Sequence, residues 1–170
     1  MTTNTSDKQT PGAQAPRQLA ILQEGNPALK KVCEEVQEID GRVLKIVNDT
    51  AYTMLKSQKA IALSANQIGY DKRIVAIRSR DNASVFVLIN PTIVKKSKRI
   101  VNSPEACLSV DRTSRVFNVS RHKAVTVTYM DLKGRYKKKE FKRRNALVIQ
   151  HEIDHLNGIL VSDIGTEERR

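Results

Sequence analysis

Residues 150–158 read Gln150-His151-Glu152-Ile153-Asp154-His155-Leu156-Asn157-Gly158. His151 and His155 are four apart, so on a helix they share a face and can offer two imidazole nitrogens to one metal ion. Glu152 follows the first histidine, which sets a carboxylate where a metal-bound water would sit. That is the residue set of metal-assisted hydrolysis: an ion to acidify water and polarise a carbonyl, and a base to take the proton.

A catalytic ion of this type takes three protein ligands and keeps one position open. The pattern with a third histidine six residues beyond the second fails, because that position is Val161. Only fifteen residues follow His155, and Glu167 and Glu168 fall in a charged tail, so the third ligand is expected upstream. The three histidines and two cysteines leave Cys107, Cys33 and His122. His122 stands between Arg121 and Lys123 and reads as an exposed histidine. Cys33 reads as a small buried hydrophobe. Cys107 lies in a loop-like stretch between strands, and a thiolate suits iron or zinc, so Cys107 is the favoured ligand.

Several elements must position these groups. The metal helix is expected from about Lys142 to Leu156, with Ala146, Leu147, Ile149 and Ile153 as its core stripe and Gly158 beyond its end as a cap. Leu29, Val32, Cys33 and Val36 recur at helical spacing after the Asn26-Pro27 turn and predict a short helix. From Gly41 to Ser57 the steps of three and four among Val43, Leu44, Val47, Ala51, Met54 and Leu55 predict an amphipathic helix. Strands are expected over 73–77, 85–89 and 92–101, with Asn90-Pro91 breaking the second from the third and Asp81-Asn82 marking a turn. Lys123 to Met130 alternates as a strand, Asp131 to Gly134 turns, and Arg135 to Phe141 returns as a lysine-rich edge. The small-residue stretch from Lys59 to Gly69 has no helical stripe and suits close approach by a ligand.

The chain of 170 residues is long enough to bury a core, and one domain is expected over 19–164. Residues 1–18, rich in Thr, Ser, Gln, Ala and Pro, read as disordered, and 165–170 as a short charged tail. No apolar run approaches a membrane span and no secretory pattern opens the chain, so a cytoplasmic monomer is expected. Two distant cysteines argue against a disulfide framework. The net charge of +12 favours anionic partners such as RNA or ribosome, but seven aromatics in no series argue against a single-strand stacking platform.

Three separated segments, in order, resemble the peptide deformylase family over roughly residues 19 to 164. Its motifs G-x-G-h-A-A-x-Q (h apolar), E-G-C-L-S and Q-H-E-x-D-H match Ala60-Ile61-Ala62-Leu63-Ser64-Ala65-Asn66-Gln67, Glu105-Ala106-Cys107-Leu108-Ser109 and Gln150 to His155. Ala60, Ala62 and Ala106 stand at glycine positions and Asn66 at a proline position. The resemblance implies removal of the formyl group from the N-terminal formylmethionine of nascent peptides, with release of formate. It implies a divalent ion, Fe²⁺ by family expectation with Zn²⁺, Ni²⁺ or Co²⁺ as substitutes, on Cys107, His151 and His155. Glu152 would move the proton, and the Gln67 amide and Leu108 backbone N–H would donate to the developing oxyanion. Ile61, Ala62, Glu105, Arg144, Leu147 and Val148 are the expected substrate-binding residues, with Arg144 at the rim favouring acidic peptides. Asp154 is expected to pair with Arg121. The expected fold is α+β, with mixed or antiparallel strands packed around a central C-terminal metal-binding helix and helices near the N-terminus. The rival readings are a ribosome- or RNA-binding relative with weak or lost activity, and a metallopeptidase.

Overall fold

The computed structural model describes residues 15–79, 84–110 and 115–168. The expected disorder of 1–18 falls mostly, and the Asp81-Asn82 turn wholly, outside these residues.

Two antiparallel sheets carry the fold. The larger joins β1 (Ala62–Ser64), β2 (Ile74–Arg78), β3 (Val85–Lys96), β6 (Ala124–Met130) and β7 (Tyr136–Lys142), in the order β1-β2-β3-β6-β7. The smaller orders β4 (Ile100–Glu105), β5 (Phe117–His122) and β8 (Thr166–Glu167) as β4-β5-β8. β8 thus anchors a stretch expected as a charged tail. Three α-helices are present among the described residues: α1 (Gly41–Lys56), α2 (Arg144–Leu156) and the single turn α3 (Val161–Ile164).

Alternation along the strands splits the core into two faces. Val75, Leu88, Val125, Val127 and Phe141 pack with Ala146, Ile149, Ile153 and Leu156 of α2. Ile74 and Ile89 point the other way, toward Val43 and Val47 of α1. Successive strand residues point to opposite faces, so one sheet separates the two helices. α1 starts where the Asp40 side chain accepts from the Val43 N–H, capping one of the first-turn donors. Between α2 and α3, Gly158 adopts φ 74°, and a Cβ there would lie 2.5 Å from the Lys30 carbonyl oxygen. Only glycine fits that crossing.

The structure departs from expectation in three places. Pro27–Lys30 forms only a 3-10 turn, and the chain then runs extended. Its backbone bonds go to distant segments: Cys33 N–H to Leu156 O and Arg73 N–H to Glu34 O. Leu29, Cys33 and Val36 are nevertheless buried, so burial there comes from contacts outside any helix. Second, Asn90-Pro91 bends β3 without ending it: Asn90 takes φ 52°, the pairing with β6 shifts register there, and the Asn90 amide bonds both backbone groups of Val36 at 2.8 Å. A bulge, and not a break, results. Third, the strand expected over 92–101 is divided by a turn after Lys96, and its end belongs to β4 in the other sheet. The lysine-rich β7 lies at a sheet edge as expected.

Candidate metal centre and catalytic cleft

α2 presents His151 and His155 one turn apart, their Nε2 atoms 3.2 Å from each other. Cys107, just beyond β4, puts its Sγ 3.2 Å from His155 Nε2. The Cys107, His151 and His155 ligand atoms lie within 4.8 Å of one another, and theirs is the one such cluster of three among the described residues. Metal bonds of 2.0–2.3 Å in a tetrahedral site separate the ligand atoms by about 3.3–3.6 Å, so the set closes on an ion with little movement. Cys33 and His122 are not in the cluster. Cys33 is buried in the core on the α2 side, and burial pushes its thiol up to about 11. His122 is half-buried with Nδ1 2.7 Å from the Ser97 carbonyl oxygen.

The charges around the cluster favour a cation. Glu105 Oε2 lies 2.9 Å from His151 Nδ1, so that nitrogen carries the proton and Nε2 turns its lone pair to the cluster. Arg121 grips Glu105 through two 2.9 Å bonds and also contacts Asp154 of α2. Burial opposes the Glu105 charge, but Arg121 and then His151 outweigh it and hold the carboxyl at about 2. Burial likewise works against a charge on His151, yet Cys107 and Glu105 push it up to about 10. His155 is driven well below its ordinary value by burial and then by His151. His151 Nε2, His155 Nε2 and Cys107 Sγ thus face one another as a donor set for a single cation.

Glu152 and Gln67 border the same cavity, of about 270 Å³. Burial pushes the Glu152 carboxyl up, with the His151 charge and the Ser64 hydroxyl pulling against it. Ser64 Oγ donates to Glu152 Oε2 at 2.6 Å and also lies 3.1 Å from the Glu152 carbonyl oxygen. The Gln67 Oε1 accepts from the Ser64 N–H at 3.0 Å, which fixes the amide so that Nε2 faces Ser109 Oγ at 3.1 Å and Cys107 Sγ at 3.9 Å. Leu108 lines the cavity beside Cys107.

Ile61, Ala62, Arg144, Leu147 and Val148 line the cavity as well. They do so unequally. The Ile61 carbonyl accepts from the Arg78 N–H at 2.8 Å, so its oxygen is committed to β2. In antiparallel pairing the next residue, Ala62, turns its backbone groups to the open edge. Glu105 also lines the cavity, but both its carboxylate oxygens are engaged by Arg121 and His151. Its side chain orients a histidine from the cavity wall.

Two positioning residues escaped the sequence reading. Ser64 stands at an alanine position of the first motif and reaches Glu152. Asn66, at the proline position, donates its Nδ2 to the His155 carbonyl at 2.6 Å, tying the 3-10 turn Ala65–Ile68 to α2. Both changes replace apolar side chains with groups that bond to α2. Motif matching treats such positions as substitutions, whereas their spatial partners lie nearly ninety residues away.

The polypeptide deformylase family model matches residues 18–170. The chain belongs to that family. A peptide deformylase of Finegoldia magna is 40% identical over 143 residues, covering 84% of this chain and 86% of its own length. One of Prochlorococcus marinus is 35% identical over 153 residues, with 88% and 74% covered. Among solved structures, the Thermotoga maritima peptide deformylase superimposes with a TM-score of 0.80 at 28% identity, covering 88% of this chain and 99% of that one. The Plasmodium falciparum enzyme gives 0.78 at 33% identity, with 86% of each chain covered. Metal-dependent deformylation is the activity of the family, and the chain is a hydrolase of this kind acting on N-formyl peptides.

Proposed function

We propose that Cys107, His151 and His155 hold one divalent ion, Fe²⁺ by preference, and that Glu152 is the general base of deformylation. The observation that carries this reading is the convergence of those three ligand atoms beside a buried glutamate at the wall of an open cavity. α2 is then the metal-binding helix. A thiolate with two imidazoles suits Fe²⁺ or Zn²⁺, with Ni²⁺ and Co²⁺ as substitutes. Bound there, the ion supplies Lewis acidity and an acidified water. Glu152, raised by burial, takes the proton and returns it to the leaving nitrogen. The Gln67 Nε2 and the Leu108 N–H stand to donate to the formyl oxygen as it gains charge. Ala62 offers its backbone to an extended peptide, and Leu147 and Val148 give apolar wall to the methionine side chain.

No helix of the described residues is long and apolar enough to cross a membrane. In the same reading the chain works as a cytoplasmic monomer, and the exposed Lys137, Lys138 and Lys139 of β7 contact the ribosome. Charge reversal at all three should weaken ribosome affinity; unchanged affinity would remove that part of the proposal.

The experiment is formate release from formyl-Met-Ala-Ser by anaerobically iron-loaded protein and by Glu152→Gln. The wild type should release formate. The variant should keep its metal and lose roughly 10²–10⁴-fold in rate, as removal of a general base does. Equal rates would overturn the role of Glu152, and casein cleavage without formate release would favour a peptidase.

A further inference from the structure

Three of the family's glycine positions hold alanine here, and all three residues, Ala60, Ala62 and Ala106, line the catalytic cavity. Positive φ among the described non-glycine residues is confined to Asn90 and Arg143, so none of these alanines sits in a conformation that needs glycine. What each adds is a methyl group, and the three go to different places. Ala60 is buried with Met54, Leu63 and Ala76. Ala106 is exposed. Ala62 is half-buried, and its neighbours fix the direction of its side chain. Leu63, next to it in β1, packs with Met54 of α1. Ser64, two residues on, reaches Glu152 of α2 with its hydroxyl at 2.6 Å. Ile77, the partner of Ala62 across β2, packs against the cluster that holds Ile149 and Ile153 of α2. Alternation along the strand therefore turns the Ala62 methyl to the α2 side, into the cavity that Leu147 and Val148 also line.

We propose that the Ala62 methyl is a specificity element: it fills the space beside the first carbons of the substrate's leading side chain, so the site takes an unbranched chain such as methionine and rejects one branched at Cβ. The proposal rests on the deformylase reading above and assigns a role to a residue at which this chain departs from its family's motif. With glycine at this position, the space between β1 and the Leu147 and Val148 wall would be wider by one methyl group. Methionine has an unbranched stem with three rotatable bonds and can thread past the obstacle. Isoleucine carries its branch at the first carbon and is stiff at χ1, so it cannot swing that branch aside. A single methyl-sized change in an apolar pocket alters relative rates by about tenfold or more.

The test is kcat/KM for formate release from formyl-Met-Ala-Ser and formyl-Ile-Ala-Ser by wild-type protein, Ala62→Gly and Ala62→Val. The methionyl-to-isoleucyl ratio should fall about tenfold in Ala62→Gly and rise in Ala62→Val, whose larger side chain enters the same space. The same shifts should appear without turnover, in the ratio of dissociation constants of the product peptides Met-Ala-Ser and Ile-Ala-Ser, measured by calorimetry on zinc-loaded protein. A ratio unchanged in either variant, or one that rises in Ala62→Gly, overturns the proposal while leaving deformylation intact. No formate from formyl-Met-Ala-Ser by metal-loaded wild type defeats the deformylase reading itself, and this proposal with it.

Discussion

Replacing Arg121 with leucine should destabilise the metal-free protein by about 3–5 kcal/mol. Arg121 is 5% exposed, gives Glu105 two hydrogen bonds of 2.9 Å, and contacts Asp154. Leucine fills part of the space but leaves the Glu105 carboxylate, 9% exposed, with only the His151 N–H. The loss is that of a buried charge stripped of its main partner, and it is large against a total stability of about 5–15 kcal/mol. Urea denaturation in the presence of chelator measures it without the contribution of metal binding. Two corollaries follow from the same contacts. Changing both partners, with Glu105→Gln added to Arg121→Leu, should cost less than the sum of the single changes, because the stranded charge is gone. Metal affinity should fall by about 10–100-fold in Arg121→Leu, because the carboxylate that fixes the His151 ring is no longer held. A single variant within about 1 kcal/mol of wild type would refute the reasoning.

Asp49 is buried against Lys45 Nζ at 2.7 Å, Tyr70 Oη at 2.6 Å and the Arg17 N–H at 2.8 Å. Burial works against its charge, but these partners hold the carboxyl below its ordinary value. Its stabilisation is therefore complete above the unfolded carboxylate pKa of about 3.9 and is lost as pH falls below it. Asp49→Asn should lower stability at pH 7 by about 1–3 kcal/mol and flatten the acid loss below pH 4 in thermal melts; an unchanged acid slope would count against this. Gly158→Ala should cost at least about 2 kcal/mol by the clash at Lys30 and the positive φ, readable as a shift in urea midpoint, and a neutral effect would show that the crossing is loose. Ser64→Ala should lower kcat roughly tenfold with KM unchanged by freeing the Glu152 carboxylate, and Ser64→Thr should restore it; a change confined to KM would contradict a positioning role.

The parts of the molecule legible in the sequence are those set by local spacing. His151 and His155 stand one helical turn apart, and α1 follows its apolar stripe from Gly41 to Lys56 almost to the residue. β6 shows its alternation plainly. What escaped is decided by distant partners. Leu29, Cys33 and Val36 mimic a helical stripe, but the Leu29 N–H stays within the 3-10 turn on the Asn26 carbonyl, while Cys33 and Val36 bond α2 and β3 from an extended chain. Asn90 looks like a strand breaker, and its side chain supplies the bonds that a bulge leaves open. The Arg121–Asp154 pair was expected, but β5 itself, with Val119 inward between polar neighbours, and the buried bond of Arg121 to Glu105 were not. In the site, the residues that carry chemical groups to the cleft were readable from their motifs. The hydrogen bonds of Ser64 and Asn66 to α2 exist only after folding brings β1 and the 3-10 turn against that helix.

The most direct test of the central claim loads cobalt into wild-type protein and Cys107→Ser and measures metal content, the near-ultraviolet spectrum and formate release on the same samples. Wild type should bind one ion per chain, show thiolate-to-cobalt absorption and release formate from formyl-Met-Ala-Ser. The variant should lose the absorption and the activity together. Thiolate absorption or full activity retained in Cys107→Ser would contradict the assignment of Cys107, His151 and His155 as the metal centre.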